Sequence, residues 1–174
     1  MIILKGHGFI LRPFKKGDAF SLQRSLNSRK LWEHMGSNRY PFTLGYARKA
    51  VKRSMESHRK KKRLNMAIVI NGEAVGHIWL HFFDGDQESH KAELGYMLGE
   101  DYWNRGIVTE AIKLMSGYAF KRLKLKRIQA NCYKLNPASR RVLEKNGFKF
   151  EGIARKDAFK KGRYFDTVNY AKIR

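Results

Sequence analysis

Apolar and polar positions recur along this chain with two periods, two and about 3.6, and the switches between them predict its elements. Residues 64–70 and 73–83 are apolar-rich strand patterns separated by Asn71-Gly72, a dipeptide that tolerates positive φ and marks a two-residue hairpin. Residues 92–98 form a further strand. Beyond Gly106, the positions Ile107, Ala111, Leu114, Met115, Tyr118 and Ala119 share one helical face up to about Leu123. Ile128, Ala130 and Cys132 then alternate with Arg127, Gln129 and Asn131, predicting a strand over 127–133. Asn136-Pro137 opens a short helix that Gly147 closes, and 148–173 predicts strands reversing at Lys161-Gly162. The N-terminal third predicts a strand over 9–13, a turn at Lys16-Gly17, and one helix from an Asp18 N-cap to about Met35. After a break over 36–41, Thr43 caps a second helix with Ala47, Ala50, Val51 and Met55 inward. No repeat, linker or low-complexity stretch intervenes, so residues 1–174 are expected to form one mixed α/β domain.

Composition narrows the chemistry. The chain is 43% hydrophobic, enough for a core without metal or disulfide staples. Cys132 is the single cysteine, which excludes an intrachain disulfide and a multi-cysteine metal knuckle. No apolar run has membrane length, and Lys5, Gly6 and His7 interrupt the N-terminal apolar stretch before a signal peptide could form. A cytoplasmic location is expected. With 37 Lys plus Arg against 15 Asp plus Glu, the net charge of +22 attracts polyanions and names only a class of partner. The run Arg59, Lys60, Lys61, Lys62 and Arg63 reads either as a solvated loop or as a polyanion contact.

Two further groups invite a role. His77 and His81 stand at i and i+4 on a strand, roughly 13 Å apart, too far to share a metal. With Trp79 they suit a substrate wall or a core edge equally. Cys132 lies on an alternating apolar face with no evident base beside it, which favours a buried thiol over an acyl carrier. The Gly106 junction is different, because a helix opening on small residues presents unpaired N–H groups and its positive dipole end, a ready anion site.

The element order, together with AELGYML, WNRGIVTEA and NPASRRVLEKNGFKFEG, resembles the GNAT N-acetyltransferase superfamily over nearly the whole chain, and within it the RimJ/RimL branch, whose named members acetylate N-termini of ribosomal proteins. The resemblance implies a mixed central sheet of about seven strands, mostly antiparallel with a splayed parallel pair, flanked by about four helices. It implies acetyl-CoA as cosubstrate, no metal, and a pyrophosphate held on the turn Trp103, Asn104, Arg105, Gly106, Ile107, Val108 and Thr109. Trp103 replaces the family's usual Arg or Gln, and Val108 its small last residue. Met97 and Leu98 would pair with the pantetheine through main chain, with Gly95 at a bulge that opens the gap and Asn136 near the arm.

The same resemblance places a base at Glu93, since acetyl transfer needs a neutral amine and an α-amino group has a pKa near ~8. A salt-bridge role for Glu93 stays open. Leu143 stands where many members carry a tyrosine acid, which leaves Ser139 to serve the departing thiolate; a capping or packing role stays open for it, as a turn role does for Asn136. Two functions follow. One is an N-acetyltransferase acting by direct attack in a ternary complex on a primary amine, a protein N-terminus first, with a polyamine or aminoglycoside as the alternative. Such polycations would be repelled by +22 unless Asp84, Asp86 and Glu88 gather them. The other is a catalytically weak scaffold that binds nucleic acid or the ribosome through residues 59–63 and 121–127. Either suits a monomer or homodimer without membrane contact.

Overall fold

The computed structural model describes residues 2–35, 40–60, 62–83 and 89–174; Lys61, Asp84, Asp86 and Glu88, and the predicted break at Gly36, lie outside the described residues. In chain order the elements are β1 (Leu4–Gly6), β2 (Phe9–Arg12), α1 (Asp18–Leu26), α2 (Arg29–Glu33), α3 (Leu44–Arg59), β3 (Arg63–Ile70), β4 (Glu73–Phe82) and β5 (Lys91–Leu98). A single 3₁₀ turn, Glu100–Tyr102, precedes α4 (Ile107–Lys121), β6 (Arg127–Tyr133), α5 (Pro137–Lys145), β7 (Lys149–Lys160) and β8 (Arg163–Ile173).

Hairpin turns build most of the sheet. Asn71 and Gly72 take φ of 49° and 81°, and Lys161 and Gly162 take 50° and 74°, the left-handed pairs that match strand twist in two-residue loops. The strands form one sheet in the order β1-β2-β3-β4-β5-β6-β8-β7, antiparallel throughout except for β5 and β6. One face carries Leu64, Met66, Ile68, Ile78 and Leu80 against Ala111, Ile112 and Met115 of α4. The opposite face carries Ala67, Val69 and Ala74 against Leu22, Leu26, Ala47 and Val51 of α1 and α3. The period-two pattern of β3 and β4 thus feeds two cores at once.

The parallel pair bonds over three positions only, Lys91↔Arg127, Ala92↔Ile128 and Glu93↔Gln129. β5 runs on to Leu98 and β6 to Tyr133 without further main-chain pairing between them. The expected splay is present.

Several local expectations are corrected. The described residues form eight strands and five α-helices against the about seven and about four expected; the added strand is β1, which pairs with β2 as a short hairpin around Gly8 at φ 74°. The helix expected from Asp18 to Met35 is two helices. Asn27 Oδ1 accepts the Phe42 N–H at 2.9 Å and Ser28 Oγ caps α2 by accepting the Leu31 N–H at 3.2 Å, so both side chains compete with a continuing helix. Asp18 is the first residue of α1 and not its N-cap. Its carboxylate is 2% exposed and takes two 2.7 Å bonds from Arg12 and one of 2.8 Å from the Lys15 N–H, a pairing that draws it inward. Thr43, by contrast, caps α3 as expected, accepting the Tyr46 N–H at 3.3 Å.

No bulge occurs at Gly95 either, since the β4–β5 register is unbroken from Phe82↔Ala92 to Gly76↔Leu98. The glycine instead admits Trp79, whose indole lies directly over it in register; a Cβ there would sit 2.1 Å from the ring. Gly95→Ala is therefore expected to cost about 1–3 kcal/mol through overpacking, read as a lower urea midpoint with unchanged slope; an unaltered midpoint would show that Trp79 moves aside freely.

Candidate functional site

The turn before α4 spends some main-chain donors internally and leaves a consecutive set free. The Trp103 N–H bonds to Glu100 O at 3.0 Å and its indole N–H to Leu98 O at 2.8 Å, so this side chain fastens the turn to the end of β5. Asn104 and Gly106 adopt φ of 60° and 74°, which rolls the following amides outward. The first helical bond is Glu110 N–H to Gly106 O at 3.0 Å; the amides of residues 104–109 find no acceptor among the described residues. Gly106 faces open space, whereas Val108 packs its side chain against the core, so its bulk is turned away while its amide stays available. Six adjoining N–H groups at a helix N-terminus suit a diphosphate. Of the residues expected in this turn, Trp103 contributes a brace and the other six contribute the amides.

The cradle stands beside the mouth of the gap between β5 and β6. On the α4–α5 side, Tyr96 reaches from β5 so that its hydroxyl lies 2.6 Å from Ser139 Oγ and 3.4 Å from Ser139 O. Burial drives the Tyr96 pKa upward, with the Ser139 bond opposing. Asn136 Oδ1 accepts the Ser139 N–H at 3.1 Å, so Asn136 caps α5 and fixes Ser139 at once. Burial also raises the Cys132 thiol, with Ser139 opposing, which leaves little thiolate for acyl transfer. Leu143 is fully buried and supports α5 from within the core.

The opposite side of the gap carries a second set. Side chains of paired positions share a face, so Glu93 lies with His81, His77 with Met97, and Tyr133 with Thr167. Asn131 Nδ2 donates to Glu93 Oε1 at 3.4 Å. No Lys or Arg among the described residues pairs with Glu93, so the salt-bridge alternative has no partner there. A carboxylate that sequence reasoning missed, Asp157, accepts from Thr167 Oγ1 at 2.7 Å on this same face. The β7 register slips between Ala154 and Ala158, and Asp157 sits inside that irregularity; nothing in the local sequence signals it. Tyr96 was missed for a similar reason, its partner being 43 residues away.

The walls of this face are fastened at its edges. Burial is the main cause and nearby Arg63 the second in lowering the His77 pKa to about 3. Asn65 donates through Nδ2 to Ser57 Oγ at 3.0 Å, so its oxygen accepts from His77 Nε2–H at 3.1 Å, while Phe14 and Trp79 flank the ring at 5.0 and 4.8 Å. His77 is thus a fixed, neutral core edge. His81 is lowered by burial first and Arg63 second, with Glu93 opposing. At the far end, the Lys160 ammonium donates to the carbonyls of Trp32 and Glu33 at the end of α2 and of Met35 just beyond it, and Tyr133 donates to Met35 O at 3.3 Å. Beside that anchor a cavity of about 210 Å³ is lined by Arg29, Trp32, Glu33, Tyr40 and Lys161. The described residues hold no cluster of His, Cys, Asp or Glu fit for a metal, and none of their helices is long and apolar enough to cross a membrane.

The chain is similar to several known proteins. A family model described as an acetyltransferase (GNAT) domain matches residues 9–149. The chain is 34% identical over 161 residues to Bacillus subtilis YjcK, provisionally named an N-acetyltransferase, covering 89% of this chain and 88% of that one. It is 33% identical over 111 residues to Bacillus subtilis YdaF, provisionally named a ribosomal N-acetyltransferase, covering 64% of this chain. That match spans 60% of the length of YdaF. A solved structure of RimL, a ribosomal L7/L12 alpha-N-protein acetyltransferase in complex with coenzyme A, shares the fold with a TM-score of 0.86 at 23% identity, covering 99% of this chain and 98% of that one.

The His77 environment predicts a pH signature. Its folded pKa of about 3 lies below an unfolded value near ~6.5, so between these values only the unfolded chain binds the proton. The associated stability is full above pH ~6.5 and is lost as pH falls toward 3. Urea midpoints measured from pH 7 to 4 should fall less for His77→Gln than for the parent protein; parallel curves would refute the assignment.

Proposed function

The chain belongs to the GNAT acetyltransferase family, and on that premise we propose that it moves the acetyl group of acetyl-CoA to a protein N-terminal α-amino group by direct attack in a ternary complex. The observation that carries this reading is the open gap between β5 and β6 beside the unpaired amides of residues 104–109. In it, Asn104, Arg105, Gly106, Ile107, Val108 and Thr109 hold the pyrophosphate, braced by Trp103. Main chain at Met97 and Leu98 runs along the pantetheine, and an N–H near Met97 meets the developing oxyanion. Asn136 holds the start of α5, and with it Ser139, against the sulfur. Glu93 takes the proton from the amine, directly or through water, with Asp157 the second carboxylate on that face.

An α-amino acceptor is favoured because its pKa near ~8 asks less of a carboxylate base than a lysine at ~10.4. Polyamines and aminoglycosides meet a chain of +22 and are repelled at long range. Ribosomal proteins are the acceptor class suggested by the names YdaF and RimL carry.

One observation supports a docking role beside catalysis. Arg59, Lys60, Lys62 and Arg63 and the run 121–127, distant in sequence, lie at the same end of the sheet, because β3 and β6 both begin there. Arg59, Lys60, Lys62, Arg63, Lys121, Arg122, Lys124 and Lys126 have no ion-pair partner among the described residues; only Arg127 does, with Glu151. That end faces a ribosome or another polyanion during acetyl transfer, away from the cofactor cradle.

Turnover with acetyl-CoA, measured against peptide N-termini, lysine peptides, polyamines and aminoglycosides, tests the acceptor. Glu93→Gln should lower kcat by about 10²-fold while acetyl-CoA KM changes little, and Asp157→Asn by less. No acceptor acetylated, with no CoA protection against thermal unfolding, sinks the enzyme reading. Charge reversal at Arg59, Lys60, Lys62 and Arg63 should weaken ribosome binding and flatten its salt dependence without altering acetyl-CoA KM; unchanged binding sinks the docking role.

A further inference from the structure

Beyond Glu93↔Gln129 the two parallel strands share no main-chain bond, and on the α4–α5 side one side-chain pair spans the gap among the described residues, Tyr96 with Ser139. Two hydroxyls 2.6 Å apart share two protons, and which one donates decides what Ser139 can do. A phenol is the more acidic partner and the better donor. If Ser139 donated instead, the phenol proton would be left with the Ser139 carbonyl at 3.4 Å, a poor bond. Burial holds the phenol in its protonated form. Tyr96 is therefore the donor, and the Ser139 hydrogen is left to point elsewhere.

We propose that Tyr96 is a positioning residue which, by donating to Ser139 Oγ, commits the Ser139 hydroxyl to donate toward the sulfur of CoA and so stabilises the departing thiolate. This rests on the acetyl-transfer reading above and adds to it the residue that aims Ser139. As the amine nitrogen bonds to the thioester carbon, its proton passes to the carboxylate base; the C–S bond breaks and its electron pair stays on sulfur. Ser139 keeps its proton and contributes a hydrogen bond. Tyr96 also keeps its proton, because the burial that makes it a reliable donor opposes the phenolate. The thiolate, with a pKa near ~8.5, takes its proton from solvent on release.

A ligand pair isolates this contact without turnover: CoA and desulfo-CoA, which lacks only the sulfur. Their affinities are measured by calorimetry from pH 6.5 to 9.5 on the parent protein, Tyr96→Phe, Ser139→Ala and the double variant. A hydrogen bond to a charged group predicts that preference for CoA over desulfo-CoA rises about tenfold across this range in the parent. The rise should shrink to about twofold in Tyr96→Phe and in Ser139→Ala, and no further in the double variant, while desulfo-CoA binds all four alike. A full pH-dependent rise in Tyr96→Phe, or losses that add in the double variant, overturns the proposal and leaves the acetyl-transfer reading standing. Failure of both ligands to bind the parent overturns both.

Discussion

Once β5 and β6 part after Glu93 and Gln129, alternate residues of 94–98 and 130–133 turn backbone groups toward a gap that no strand among the described residues fills. Interior main chain left in that state is costly unless solvent or a ligand satisfies it. The neighbouring structure holds the gap open. Trp103 ties the end of β5 to the turn that follows, Tyr96 spans to α5, and Asn131 reaches Glu93 from the opposite strand. β6 cannot close the distance, because it is fully paired to β8 from Arg127 to Tyr133 on its other edge. An extended, amide-bearing arm such as pantetheine is the kind of ligand that completes such an edge.

Strand alternation then divides the chemistry between two sides. Tyr96, with Leu94 and Leu98, faces α4 and α5, where Ser139 and Cys132 meet it; Glu93 and Met97 face the opposite way, toward His77, His81 and Asn131. A shift of one residue in the β5 register would exchange these sets and put the carboxylate in the core. The unbroken β4–β5 ladder prevents that, and Gly95 under Trp79 is the position where the ladder tolerates a large ring without a bulge. Register, and not the loops, keeps the proposed base and the proposed thiolate donor on opposite sides of one thioester.

Features set by neighbouring residues were legible in the amino-acid sequence. The Asn71-Gly72 turn, the Thr43 cap, the 127–133 strand and the Gly106 junction each depend on a backbone preference within about four residues, and each is present. Features set by distant partners were not. Asp18 looked like a helix cap until Arg12 drew its carboxylate inward, and Gly95 looked like a bulge because no pattern announces that Trp79 lies above it. Tyr96 and Asp157 fall in the same class: one faces α5, the other occupies a register slip in β7, and pairing across the chain places both.

The charge of the chain bears on the cofactor site less than +22 suggests. A diphosphate held on backbone amides needs no Lys or Arg, and its geometry is fixed by φ at Asn104 and Gly106, which no screening by salt can alter. The unpaired cations at the start of β3 and the end of α4 lie at the opposite end of the strands, about seven residues of β5 away from the gap mouth, or some ~23 Å at strand rise. That exceeds the Debye length of ~8 Å at physiological ionic strength. A polyanion engaged at the basic end and a cofactor engaged at the cradle would therefore interact only weakly through charge.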